Sequence, residues 1–192
     1  MTTTHTKALP RTSPCYDRAA VEGTHSLRQL NLKGKLNIRG NPGDPGFVSG
    51  IRLALDMDLP VSANTLNQHE SMSLFWLGPD EWLLHCDLEQ TTQLESRIRQ
   101  SLKVSHFAVT EVSDYYTVLR LSGPDAEALL RRGTPLDLHI DAFGCDQIAQ
   151  TRFGHATVLL HRLGDAESWD IQVRWTYAQY VWDYLVSAME GL

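Results

Sequence analysis

One tripeptide occurs twice in this chain, and its two copies lead into different structures. Gly78-Pro79-Asp80 sits in SLFWLGPDEWLLHC, and Gly123-Pro124-Asp125 sits in VLRLSGPDAEALLRRG. Each follows an apolar, strand-like run. After the first copy, Trp82-Leu83-Leu84 reads as a returning strand, so the word is a turn between strands. After the second, Asp125-Ala126-Glu127-Ala128-Leu129-Leu130 reads as a helix. Pro124 then falls at the first helical position, where a missing N–H costs nothing. The strand–turn–helix form belongs to small α+β architectures.

The flanking sequence fills in the elements. Arg28 to Arg39 alternates through Leu30, Leu32, Leu36 and Ile38 and reads as one strand bent at Gly34. Phe47 to Leu55 carries helical spacing, closed near Asp56. Ser71 to Leu77 and Glu81 to Cys86 form the hairpin around the first Gly-Pro-Asp. Leu94, Ile98 and Leu102 mark an amphipathic helix. Phe107 to Val112 and Thr117 to Leu121 are strands, and the next helix ends at Gly133, expected as a left-handed cap. Three strands follow, Gln147 to Phe153, His155 to Arg162 and Trp169 to Val173. A last helix runs from about Tyr177 to Met189, with Thr176 and Gln179 expected as a capping box. The order is β-α-β-β-α-β-β-α-β-β-β-α. It predicts two ferredoxin-like halves, about 27–104 and 105–192, with mostly antiparallel sheets and helices on one face. Residues 1–26, rich in Thr, Ser and Pro, read as an extended N-terminal arm.

Composition narrows the function classes. The hydrophobic fraction of 42% supports a proper core, and 21% charged residues argues against global disorder. A net charge of −6 without a basic run makes nucleic acid a poor partner. The opening MTTTHTKALPRTSP has no apolar signal core, and no stretch approaches the roughly 20 apolar residues of a membrane span. The expectation is a soluble, cytoplasmic chain without membrane or nucleic-acid partners. Three cysteines without a C-x-x-C argue against a disulfide framework or a zinc knuckle. Cys86 reads as a small buried apolar residue. The eight histidines show no H-x-x-x-H or H-x-H spacing. No Walker loop, G-x-G-x-x-G or G-x-S-x-G is present. Neither a catalytic residue nor a cofactor or metal ligand is expected.

The aromatics carry the remaining signal. Trp76 and Trp82 bracket the first Gly-Pro-Asp turn and could stack as a cross-strand pair. Trp175 and Trp182 border the last helix. Each Trp reads first as core or core rim. The second reading is a protein interface, where Trp and Arg are favoured anchors. Trp76, Trp82, Arg174 and Trp182 are therefore the candidate subunit-contact residues.

Three words together carry a resemblance: Leu77-Gly78-Pro79-Asp80-Glu81-Trp82-Leu83-Leu84, Val118-Leu119-Arg120-Leu121-Ser122-Gly123-Pro124 and Pro135-Leu136-Asp137-Leu138-His139. Val158-Leu159-Leu160, Tyr180 and Trp182-Asp183 extend it. From about residue 12 to the C terminus the chain resembles the gamma subunit of heterotetrameric sarcosine oxidase. The resemblance implies a fold similar to the folate-binding domain of glycine-cleavage aminomethyltransferase. It also implies a four-chain flavoenzyme that demethylates sarcosine to glycine with O2 and tetrahydrofolate. In that family the beta chain oxidises the amine at FAD, electrons pass to a covalent FMN, the alpha chain carries NAD and a tetrahydrofolate site, and the delta chain binds zinc. The gamma chain holds none of these and meets chiefly the alpha chain. Related complexes such as N-methylglutamate dehydrogenase have a similar small subunit, so the N-methyl amine stays open. A free-standing folate-binding protein is the other alternative. It requires a carboxylate facing the pterin inside a cavity, and Asp114 and Asp137 are the nearest candidates.

Overall fold

A computed structural model describes residues 12–103 and 106–191, so residues 1–11 of the expected arm lie outside the described residues. The first sheet is built from β2 (Gly34–Gly40), β3 (Leu66–His69), β4 (Met72–Gly78), β5 (Glu81–Cys86) and β6 (Phe107–Glu111), in the order β3-β4-β5-β2-β6. The second is built from β1 (Ser26–Gln29), β7 (Tyr116–Ser122), β8 (Ile148–Phe153), β9 (Ala156–Arg162) and β10 (Ser168–Arg174), in the order β1-β7-β10-β9-β8. Every pairing is antiparallel. Helices α1 (Pro45–Leu55) and α2 (Thr91–Ser101) cover the first sheet, and α3 (Ala126–Arg131) and α4 (Ala178–Glu190) cover the second.

Strand alternation explains the layering. On β5, Trp82, Leu84 and Cys86 pack under the helices, while Leu83 packs toward the other sheet with Phe75, Ile148 and Leu159. On β10, Trp169, Ile171 and Val173 join the second helix-covered core. The intervening Gln172 reaches His85 of β5, with Nε2 and Oε1 2.6 Å apart. The sheets therefore stack face to face, each with its helices on the outer side, and two large apolar cores flank a smaller, mixed layer.

Several local expectations change. The run Arg28 to Arg39 is two strands rather than one, and residues 30–33 carry the chain from the second sheet to the first. Gly34 marks that crossing because a Cβ there would lie 2.0 Å from Thr91 Oγ1 and 2.8 Å from Cys86 Sγ. The division into halves 27–104 and 105–192 does not follow the sheets: β1 belongs to the later sheet and β6 to the earlier one. Strand β3, Leu-Asn-Gln-His, carries too little apolar pattern to be read from sequence.

Pro124 precedes the helix rather than opening it, in a turn closed by Ala126 N–H donating to Gly123 O. Gly123 has φ +131°, and a Cβ there would lie 2.6 Å from Thr24 O. Gly133 is not a left-handed cap: its φ is not positive, and it is small because the Phe153 ring lies where a Cβ would stand. The Thr176–Gln179 capping box does not form. A 3₁₀ turn, Trp175–Tyr177, leads into α4, and Gln179 donates to Pro14 O instead.

Residues 12–25 are anchored on this chain's own second sheet. Cys15 is buried in that core, Val21 bridges Leu27, and Arg18 pairs with Asp183 at 3.0 Å.

Candidate functional site

The layer between the sheets collects the polar side chains that the cores exclude. On β2, Leu36 and Ile38 point to the helices, so Lys35, next to Leu36, faces the second sheet and is 1% exposed. Its ammonium donates to Lys33 O at 3.2 Å. Burial pushes its pKa down to about 8, with Asp114 offsetting part of the penalty. His85, opposite Lys35 in the β2–β5 register, is pushed down to about 3, chiefly by burial and then by the Lys35 charge. A neutral His85 donates through Nε2 to Gln172 Oε1, since an amide oxygen only accepts. His161 on β9 is also held below the ordinary histidine range by burial, against the pull of Asp170 and Asp146. Its Nε2 lies 3.8 Å from Asp146 Oδ1 and has no hydrogen-bond partner among the described residues.

On the second sheet Arg120 and Asp170 stand opposite each other in register and form a two-point pair, Nε–Oδ1 2.7 Å and Nη2–Oδ2 2.8 Å. The hydrogen bond to Asp170 raises the Arg120 pKa. These groups border a cavity of about 350 Å³ between the sheets, with Phe75, Val118 and Leu159 as its apolar wall. It opens toward the exposed Gln68 and Ser71. Neither carboxylate named for a folate reading lines it. Asp137 is exposed and accepts from its own neighbour, His139 N–H, at 3.0 Å, and Asp114 is exposed at the turn between β6 and β7. The carboxylate at the cavity is Asp170, whose signal in sequence is the bare alternation of Trp169-Asp170-Ile171-Gln172.

The aromatic candidates separate. Trp76 and Trp82 are cross-strand partners, as the turn requires. Trp82, however, is fully buried: its ring lies 5.7 Å from Phe47 and its Nε1–H donates to Pro60 O at 2.7 Å. Trp182 is 4% exposed and belongs to the core beneath α4. Both are therefore corrected from contact candidates to core residues. Trp76 is half-buried. Arg174 is exposed, with its guanidinium 5.2 Å from the Tyr115 ring centre. Tyr115 stands edge-on to Tyr116 and is 44% exposed, and Tyr177 is 40% exposed. Apart from Tyr16, 76% exposed in the N-terminal segment, these exposed aromatics stand near the end of β10 rather than at the first Gly-Pro-Asp.

The words that carry the resemblance have structural work. Arg39 holds the first turn through Asp80 at 2.9 Å and Glu81 at 3.3 Å. Arg162, 4% exposed, organises the Pro135–His139 segment by donating to Leu138 O and Phe143 O, reaches Glu127 Oε2 at 2.7 Å, and lies 4.7 Å over Trp169. Among the described residues no group of three His, Cys, Asp or Glu side chains is placed to hold a metal ion. No helix there is long and apolar enough to cross a membrane.

This is a helix-covered double sheet of the aminomethyltransferase type. The fold matches glycine cleavage system aminomethyltransferase T from Bartonella henselae with a TM-score of 0.60 at 15% identity, over 83% of this chain and 45% of that one. A chain of the heterotetrameric sarcosine oxidase from Corynebacterium sp. U-96, solved with pyrrole 2-carboxylate, matches with a TM-score of 0.85 at 29% identity, over 94% of this chain and 95% of that one. The sarcosine oxidase subunit gamma of Corynebacterium sp. (strain P-1) is 31% identical over 173 residues, 90% of this chain and 83% of that protein. The profile of the sarcosine oxidase, gamma subunit family matches residues 39–190. The chain belongs to the sarcosine oxidase gamma subunit family.

Proposed function

We propose that this chain is a non-catalytic gamma subunit of a cytoplasmic, heterotetrameric sarcosine oxidase that oxidatively demethylates sarcosine to glycine. The single observation that carries the reading is the near end-to-end match, 94% of one chain on 95% of the other, to a chain of a heterotetrameric sarcosine oxidase. In this reading alpha, beta and delta chains are the partners, chiefly alpha. They carry FAD, FMN, NAD, tetrahydrofolate and zinc, and this chain contributes shape and contact surface. The exposed cluster of Tyr115, Arg174 and Tyr177 supports it, because aromatic and arginine side chains at a surface are favoured interface anchors.

The free-standing folate reading has less support, since Asp114 and Asp137 stand outside the intersheet cavity. The test is purification of a tagged chain from its native host, with an absorbance spectrum of the eluate. A yellow complex of one large and two smaller partners that oxidises sarcosine is expected. Elution alone and colourless would overturn the subunit role. A yellow complex that prefers another N-methyl amino acid would overturn the substrate assignment alone.

A further inference from the structure

The cavity between the sheets has spare hydrogen-bond donors on its lining. Arg120 uses two of its five N–H groups on Asp170 and keeps three. Gln172 accepts from His85 through its oxygen, which leaves its amide N–H groups to donate. Lys33 gives one hydrogen to Asp87 at 2.7 Å and keeps two. The lining carboxylate, Asp170, is already engaged by Arg120. Lys33 and Arg120 are each paired with one carboxylate, so what the lining offers a ligand is the spare N–H groups of Arg120 and Gln172 rather than an uncompensated charge. Arg120 and Gln172 are diagonal neighbours on β7 and β10, because Gln172 pairs with Val118 and Asp170 with Arg120. Diagonal side chains of this length reach a common point above the sheet. The apolar wall of Phe75, Val118 and Leu159 adjoins them. A volume of about 350 Å³ falls at the lower end of small-molecule sites.

We propose that this cavity binds a small organic carboxylate, its anionic end received by Arg120 and Gln172 and its apolar body lying against Phe75 and Leu159. The proposal goes beyond the subunit role and does not depend on it. The paired Arg120–Asp170 side chains hold the guanidinium in place, so little ordering is needed on binding. The binding is non-covalent and involves no chemical step.

The test uses the full chain titrated with sodium benzoate, with benzamide and benzylamine as neutral and cationic counterparts. Heat of binding and the NMR signals of the Gln172 amide and the His85 and His161 rings are read together. Benzoate is expected to saturate and to move those signals, with both counterparts at least about tenfold weaker. Arg120→Met should lose at least about tenfold in benzoate affinity. Because that variant strands Asp170, Val118→Trp serves as a second one: it fills the cavity, leaves the charged pair intact and should abolish binding. Three results would each overturn the proposal: no saturation by benzoate up to about 10 mM, equal binding of all three probes, or binding unaltered in a folded Val118→Trp.

Discussion

Replacing Lys35 by Met should stabilise this protein at neutral pH, although it removes a hydrogen bond. Lys35 is 1% exposed, and burial lowers its pKa from the ordinary 10.5 to about 8. A base with a lower pKa folded than unfolded binds fewer protons in the folded state. The resulting penalty is in full force below pH 8, fades between pH 8 and 10.5, and is gone above that range. The span from 10.5 to about 8, at about 1.4 kcal/mol per pH unit, is about 3 kcal/mol. Methionine keeps the stem and removes the charge. It also removes the Nζ bond to Lys33 O, worth about 1 kcal/mol. The net expectation is a gain of about 2 kcal/mol at pH 7, or about 4–8 °C in melting temperature for a chain of this size. Above pH 10.5 the difference should reverse to a loss of about 1 kcal/mol, as only the missing hydrogen bond remains. Urea unfolding of both proteins at the two pH values measures this. A variant less stable than the parent at pH 7, or a difference that does not change with pH, would refute the argument.

Arg162→Met should cost about 3–5 kcal/mol, because it strands Glu127 and the carbonyls of Leu138 and Phe143; chemical denaturation reads the loss directly. Gly123→Ala should cost at least about 2 kcal/mol, since φ is +131° and the new Cβ would meet Thr24 O. Limited proteolysis should then cut within residues 12–25 faster than in the parent. Trp82→Phe should lose about 1–3 kcal/mol by removing the donor to Pro60 O, with partner retention unchanged below the melting point. Arg174→Glu should do the opposite, shifting stability by less than about 0.5 kcal/mol while weakening retention of partner chains in a pulldown.

Much of this fold was legible because its strands and helices carry ordinary periodicity. The hairpin around Gly78-Pro79-Asp80, the amphipathic α2 and the alternation on β9 and β10 all follow directly from residue spacing. What sequence could not reveal is which strands pair. Arg28 to Arg39 reads as one strand, yet Arg28 and Gln29 pair in one sheet and Leu36 and Ile38 in the other. Gly34 gave a visible signal there, but a glycine in an alternating run reads equally as a bend. The contact candidates were mixed for a similar reason. Trp82 and Arg174 occupy comparable places beside turns, and only packing shows that one is sealed beneath α1 while the other faces solvent. The cavity was the least legible part, because its polar residues are scattered one or two at a time over six separate strands.

The interchange of β1 and β6 ties synthesis to completion. Ser26–Gln29 leaves the ribosome early but, beyond the single Val21–Leu27 bridge, has no strand to pair with until Leu119–Ser122 follows. The N-terminal portion must therefore wait with its edge unclaimed, and a nascent chain halted before β7 would expose the apolar side of Leu27. Two fragments divided near residue 104 would each lack a strand held by the other, so recovery of the native state would require their reassociation rather than independent refolding.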